Sequence, residues 1–478
     1  MIERLLNILN ILFFAYACIL FVVYVLTAIL SMIELRMHTM KNEHSNFKKM
    51  LSFSKLPSVS VIAPAYNEGM TIVENIKCLL ALEYQNFEII IVNDGSKDDT
   101  LTKIIEHFDL IKVDKAFEYQ VTCAPIRGIY KSTNAAYYQM LVIDKENGGK
   151  ADALNSGINL AKNDLFLAID VDCIIERDAI QKMVKPFMTD KKHIVVASGG
   201  VIRVANSCEV NEGKIVKVNY PDNFWAKFQV LEYFRAFTLG RMAWSKINGL
   251  LIISGAFGMF DRKRVINVGG YDKTTVGEDL ELVVRLRRYM YEVEKRKHRV
   301  AFIPDPLCWT EVPETYKILY KQRNRWARGA IDTIMKHKKM FLNPNYGVIG
   351  MISFPYWVIF EWLAPIIQII GIFYLLIVSI LGILNVWICV LLLLFVFTFS
   401  VVYSLVAIFM ESYTYSRYKG IKFISQAILF AIMEMFIYQP LNMYFSLSGN
   451  NDFFIKKNKK GWGEMTRTGF KQDKKNQK

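Results

Sequence analysis

Phe166-Leu167-Ala168-Ile169-Asp170-Val171-Asp172 decides how the rest of the chain is read. The apolar run predicts a buried strand, and the strand ends in two carboxylates one residue apart. An unpaired buried carboxylate is costly, so acids at the end of a buried strand imply something for them to bind. The carboxyl end of a parallel strand is where α/β sheets place ligands. Side chains at i and i+2 of a strand share a face, so a strand carried through Asp172 aims Asp170 and Asp172 at one point. Two hard oxygen ligands on a short tether suit Mg²⁺ or Mn²⁺ bound together with a phosphate-bearing substrate. The plainer reading is a solvated acid pair in a turn, and the flanking chain decides between the two.

Strand and helix patterns alternate on either side of that stretch. Val59 to Ala63 and Phe87 to Val92 read as strands. Met70 to Leu82, Asp99 to His107 and Gly149 to Ala161 have helical periodicity. Such alternation predicts a mostly parallel sheet with helices on both faces, from about Pro57 to about Lys339. Lys115 to Asp144 interrupts the alternation and reads as an inserted ribbon or loop.

Hydrophobic residues make up 53% of the 478-residue chain, which points to a membrane protein. Leu5 to Met32 is apolar and long enough to span a bilayer, and no small-residue cleavage site follows it. His38, Lys41, His44, Lys48, Lys49 and Lys55 follow, which predicts that this side is cytoplasmic. Tyr356 to Leu384, Val386 to Met410 and Ile424 to Leu447 are three more spanning-length runs, preceded by an interfacial or hinge segment, Phe341 to Pro355. Pro365 and Pro440 predict kinks. Glu361 and Glu434 lie inside apolar runs and must face a polar path or a partner; Glu361, near a span end, reads better as interfacial. Three complete spans would put the Lys-rich tail opposite the α/β region, against the positive-inside bias, so Ile424 to Leu447 is expected to be the irregular run. The implied divisions are 1–36, 57–340, 341–449 and 450–478. The net charge of +15 accompanies no nucleic-acid module, so membrane lipid and an anionic substrate account for it. Seven scattered cysteines form no CxxC pair, which argues against a disulfide frame or zinc site.

Further motifs sit at strand ends. Ala63-Pro64-Ala65-Tyr66-Asn67-Glu68 offers a shelf for a flat base. Val92-Asn93-Asp94-Gly95-Ser96 puts Asp94 where it can accept from a nucleobase edge or ribose, or else cap a helix. Gly148-Gly149-Lys150 is a Gly turn entering a helix, and its free N–H groups and the Lys150 charge suit a diphosphate. Gly277-Glu278-Asp279 opens another helix. In Gln322-Arg323-Asn324-Arg325-Trp326, Gln322, Arg325 and Trp326 share one helical face, with Arg323 and Arg328 solvated in the plainer reading.

In this order, AYNE, VNDGS, GGKADALN, DVD, SGAFG, GED and QxxRW resemble the inverting glycosyltransferases of family 2 with a GT-A fold. QxxRW is the signature of processive members, which include cellulose, chitin, hyaluronan and poly-N-acetylglucosamine synthases. The Cys308-Trp309 and Pro313-Glu314-Thr315 wording is similar to the last of these, and Gly461 to Arg467 resembles the tail elements of processive synthases. Two departures are the single N-terminal span, where those synthases typically have two, and the long 115–144 segment. The resemblance implies an α/β GT-A domain plus transmembrane helices in a multi-pass cell-membrane protein with the catalytic domain cytoplasmic. It implies Asp279 as general base and Ala65, Tyr66, Glu68, Asp94, Lys150 and Asp170 at the donor. It implies Asp170 and Asp172 on Mg²⁺ or Mn²⁺, and Gln322, Arg325, Trp326 and Glu278 at the acceptor and diphosphate. The implied partners are a UDP-sugar, a polysaccharide acceptor and accessory export or regulatory proteins. The implied activity extends a β-linked polysaccharide from UDP-N-acetylglucosamine. Its rivals are another UDP-sugar, a non-processive transferase acting on a lipid, and a non-enzymatic polysaccharide-binding membrane protein.

Overall fold

A computed structural model describes residues 2–43, 56–211, 214–415, 417–418 and 420–457. His44, Lys48, Lys49, Lys55, Gly461 to Arg467 and most of the Lys-rich tail lie outside the described residues.

The apolar runs form the strands β1 (Val59–Ala65), β2 (Phe87–Asp94), β3 (Leu110–Lys112), β4 (Ile126–Ser132), β5 (Met140–Lys145) and β6 (Leu165–Ile169). These are followed by β7 (Ile174–Ile175), β8 (Ile194–Val204), β9 (Glu209–Asn211), β10 (Lys214–Lys217), β11 (Phe257–Asp261) and β12 (His298–Thr310). A 10-stranded sheet has the order β3-β4-β5-β2-β1-β6-β11-β8-β12-β7. Its middle, β5-β2-β1-β6, is parallel, as the alternation predicts. β11 is inserted antiparallel between β6 and β8, and β12 runs parallel to β8, so the sheet is mixed but mostly parallel. Burial on both faces explains why the central strands are apolar throughout and do not alternate. The 115–144 interruption supplies β4, which pairs antiparallel with β5 and makes an edge ribbon.

The ladder stops at Ile169, so Asp170 and Asp172 are not on the strand. β6 pairs with β1 only through Ala168 and with β11 through Ile169. Beyond that point the chain turns, and Cys173 N–H donates to the Asp170 carbonyl at 3.0 Å. A turn, rather than strand alternation, brings the two carboxylates together.

The N-terminal helix Ile2–Glu43 runs beyond the expected span. Ile8–Met40 and Val386–Thr414 are long and apolar enough to cross a membrane. Two further pairs are bent: Ile349–Trp362 with Ala364–Ile380 by 47°, beside Pro365, and Ile421–Glu434 with Tyr438–Phe454 by 53°, beside Pro440. Tyr374 meets Asn10 and Phe13 near the start of the first helix. At the opposite ends, His38 Nε2 lies 2.7 Å from Asp305 of β12, and Glu411 ion-pairs with Arg203 of β8. Both halves of the second bent pair lie against the α/β region. Phe423 touches Tyr220, Glu434 pairs with Arg235, and Ser448 bonds Tyr320 at 2.6 Å. Ile424 to Leu447 is thus bent as expected, but it shares that irregularity with the run at Tyr356 to Leu384, and Glu434 has its partner.

Candidate active site

One cavity of about 700 Å³ opens at the carboxyl edge of the sheet and reaches the two bent helix pairs. Lys150, Asp170, Asp172, Glu278, Asp279, Gln322, Arg325 and Trp326 all line it. Its far wall carries Trp357, Glu361, Trp362, Asn442, Ser446 and Asn450. Glu361 faces this polar space, with the Tyr356 hydroxyl 3.2 Å away.

The acid end is held by backbone and charge. Gly149 has φ 85°, a left-handed turn that glycine takes without strain, and it starts helix Lys150–Leu160, buried from Ala151 onward. Lys150 Nζ ion-pairs with Asp170 and donates to the Gly255 carbonyl at 2.9 Å. Burial opposes the Lys150 charge, but Asp170, Glu278 and Asp279 outweigh it and raise the ammonium above its ordinary range. Asp279 Oδ2 accepts from Gly255 N–H at 2.7 Å and Oδ1 from Leu280 N–H at 2.8 Å, which fixes the carboxylate at the start of helix Glu278–Tyr289. Burial pushes the neighbouring Glu278 carboxyl up to about 7; Asp279 adds to the shift, and Lys150 and Arg325 oppose it. A side chain on Gly277 would meet the Gly329 Cα at 2.9 Å. That contact presses the Glu278-Asp279 turn onto helix Tyr316–Lys336, which carries Gln322, Arg325 and Trp326.

Asp170, Asp172 and Cys173 have ligand atoms within 4.8 Å of one another. The Cys173 thiol is hydrogen-bonded to the Cys308 thiol and buried, and both effects push it well above its ordinary range. It is therefore a poor ligand, whereas the two carboxylates are a fitting donor set for a hard divalent cation.

Ala65, Tyr66, Glu68 and Asp94 are not among the residues lining the cavity. They follow the same sheet edge along β1 and β2, where Tyr66 is exposed and Glu68 N–H donates to Thr100 Oγ1 at 2.9 Å. Both Asp94 oxygens are engaged. Oδ1 accepts from Lys145 at 2.6 Å and Gly148 N–H at 3.0 Å, and Oδ2 from Gly149 N–H at 2.8 Å. Asp94 thus fastens the turn that presents Lys150.

Several residues here carry no motif. Lys145 is fully buried between Asp94 and Asp152. Arg241 lines the cavity over the Phe237 ring, and burial lowers its guanidinium to about 10 against the opposing pull of Asp279. Glu232 pairs with Arg323. A detectable signal was Glu232, Arg235 and Arg241 set inside the mostly apolar run Val230 to Ala243. Arg323 and Arg328 are buried and not solvated, because helix Tyr438–Phe454 covers the side of their helix that sequence periodicity leaves polar.

Sequence comparison places this arrangement in a family. Residues 57–329, more than half of the chain, match the family described as "Glycosyltransferase like family 2", and the chain belongs to it. It is a glycosyltransferase with a GT-A-like fold. Residues 272–477 also match the family described as "Chitin synthase". Among curated proteins, the poly-beta-1,6-N-acetyl-D-glucosamine synthase of Staphylococcus aureus (strain COL) is 30% identical over 294 residues, 61% of this chain and 59% of that protein. The synthase of the same name from Staphylococcus epidermidis is 28% identical over 302 residues, 63% of this chain and 59% of that one. The match thus spans 59% of the length of these relatives. Among solved structures, the mannosyltransferase PcManGT of Pyrobaculum calidifontis, in complex with GDP-Man and Mn²⁺, has a TM-score of 0.51 at 15% identity. It covers 91% of this chain and 99% of its own and shares the fold.

Proposed function

We propose that the chain is a processive, inverting membrane glycosyltransferase that transfers N-acetylglucosamine from UDP-N-acetylglucosamine onto a growing β-linked polysaccharide and passes it through the membrane. The observation that carries this reading is the single cavity joining the paired acids to the face of the membrane helices. A non-processive transferase needs no such continuation past the acceptor.

The donor's nucleoside lies along the β1–β2 edge at Ala65, Tyr66 and Glu68, and Asp94 acts there through the turn it holds. Asp170 and Asp172 would hold Mg²⁺ or Mn²⁺ against the diphosphate. When bound, that ion supplies Lewis-acid stabilisation of the departing UDP. Lys150 and Arg325 add cationic charge beside the same leaving group. Asp279 takes the proton of the acceptor hydroxyl as its oxygen bonds to the anomeric carbon and the bond to UDP breaks. Attack opposite the leaving group inverts that carbon. Its two backbone donors aim the Asp279 carboxylate without consuming all of its lone pairs. Gln322 is buried and its Oε1 has no hydrogen-bond partner, so it is free to accept from a sugar hydroxyl. Trp326, 41% exposed, offers an aromatic face to the acceptor ring.

Residues 364–380 lead away from the sheet domain, 386–414 return to it, and 421–454 stay beside it. With the first helix, three crossings leave the sheet domain and helix Tyr438–Phe454 on one side, the cytoplasmic one by the positive-inside rule. The experiment incubates membrane vesicles with each labelled UDP-sugar plus Mg²⁺ or Mn²⁺ and digests the product with linkage-specific hydrolases. Long, hydrolase-sensitive polymer from UDP-N-acetylglucosamine is the expected result. Short, organic-extractable product would establish a lipid acceptor instead, and polymer from another donor would replace the sugar.

A further inference from the structure

We propose that Glu232 and Tyr438 are positioning residues that set the Trp326 face for the acceptor, acting through Arg323. This rests on the acceptor-platform reading of Trp326. Three elements meet behind that ring: Glu232 comes from helix Phe224–Tyr233, Arg323 from helix Tyr316–Lys336, and Tyr438 from the first turn after the break in the second bent pair. Arg323 ion-pairs with both Glu232 oxygens, Nη2 to Oε2 at 2.7 Å. The Tyr438 hydroxyl donates to Glu232 Oε2 at 2.8 Å and accepts from Arg323 Nη2 at 3.1 Å. Phe228 stacks on Tyr438 with centroids 5.1 Å apart and planes 11° from parallel, which fixes that hydroxyl. Arg323 Cζ lies 4.3 Å from the Trp326 ring centroid.

The arrangement has a direction. Arg323 is 8% exposed and Tyr438 is fully buried, whereas Trp326 is 41% exposed and lines the cavity. A guanidinium held in plane by a carboxylate stacks on an aromatic ring more firmly than a free one, because its rotation is already restricted. Glu232 and Arg323 also line the cavity, so Arg323 braces one face of the indole from the cavity wall while the ring's remaining surface stays open to the cavity. The brace also ties the platform to a membrane-associated helix at its bend, so a shift of that helix would move the acceptor face.

The test uses the full chain in membranes and reads product length, UDP affinity and protein yield. Glu232→Gln removes the charge that orients Arg323 and keeps the size. Mean product length is expected to fall roughly threefold to tenfold, the worth of one cation–π contact, with UDP affinity unchanged. Glu232→Asp, which keeps the charge, is expected to restore part of the length. The deciding measurement is the combination with Trp326→Ala: a residue acting through Trp326 adds nothing once the indole is gone. Additive shortening in the double variant overturns the proposal, because Glu232 would then act independently of the ring. Full-length product from Glu232→Gln also overturns it. If Glu232→Gln fails to accumulate, Glu232→Leu combined with Arg323→Met removes both charges and leaves no unpaired buried ion. That variant must also make short product, and full-length product from it overturns the brace. Full-length product from Trp326→Ala alone sinks the platform reading itself, a result distinct from failure of the brace.

Discussion

The two ends of the cavity are built from different materials. At the sheet edge, Lys150, Asp170 and Asp279 are charged and fixed by backbone donors, ion pairs or both. At the helical side, Trp326, Trp357, Trp362, Asn442, Ser446 and Asn450 offer rings, amides and a hydroxyl. Loops and helix starts at a sheet edge can aim a charge to a fraction of an ångström, which bond-making requires. Rings and amides hold many sugar positions weakly, which suits a chain that must slide. The acid end is therefore expected to govern the rate of each transfer and the helical end the number of transfers before release.

Asp279→Asn breaks that division most severely if it is wrong. One side-chain oxygen remains to accept from Gly255 N–H, so the turn survives. Chain extension is expected to fall by roughly 10²- to 10⁴-fold, the usual contribution of a general base, with UDP-sugar affinity retained. Lost donor affinity with normal turnover at saturating donor would make Asp279 a binding residue. Asp172→Asn is next. It removes a ligand charge without changing size, and turnover is expected to drop by about 10²- to 10³-fold, as loss of several kcal/mol of Lewis-acid stabilisation would give. Activity close to that of the unaltered protein across a Mg²⁺ and Mn²⁺ titration would remove Asp172 from the metal site.

Trp326→Ala sharpens the other side. A core tryptophan would cost roughly 3–5 kcal/mol on truncation and protein yield would fall. Trp326 is 41% exposed, so yield and UDP affinity are expected to hold while polymer length drops by about tenfold. Equal losses of length and UDP affinity would show that the two ends do not divide the work.

How much of this is legible in the chain depends on the distance over which each contact acts. The strands of the sheet's parallel middle declare themselves because burial on both faces forces unbroken apolar runs such as Ile89 to Val92. Gln322, Arg325 and Trp326 share a face through helical spacing alone. The turn at Asp170–Asp172 is hidden, because nothing local says that the partner strands end at Ile169. Lys145 carries no motif in the sequence, yet Asp94, 51 residues away, makes it a buried clamp. Burial of Arg323 and Arg328 depends on helix Tyr438–Phe454, more than 100 residues on, folding back over their helix. The bent pair that does so is foreshadowed by Glu434 and Pro440.

The expected effect with the least bearing on turnover concerns Glu278, the carboxyl at the join between the two ends. Burial raises it from 4.5 to about 7, so the folded protein holds this proton over a range where the unfolded chain has released it. Its stabilising contribution is thus complete below about 4.5 and is lost as pH rises through about 7. Glu278→Gln is neutral at every pH and escapes that loss. The gap in thermal stability between variant and parent is expected to widen in the variant's favour from pH 5 to pH 8, by up to about 3 kcal/mol. Donor affinity should follow the same course, because a deprotonated Glu278 places a negative charge beside the diphosphate site. The parent is expected to bind UDP-sugar more weakly above pH 7, and the variant to lose that dependence. Parallel pH profiles for the two proteins would mean that Glu278 is ionised throughout and already paired with Lys150 or Arg325. The boundary between the acid end and the helical end would then be an ion-pair network with no titrating carboxyl in it.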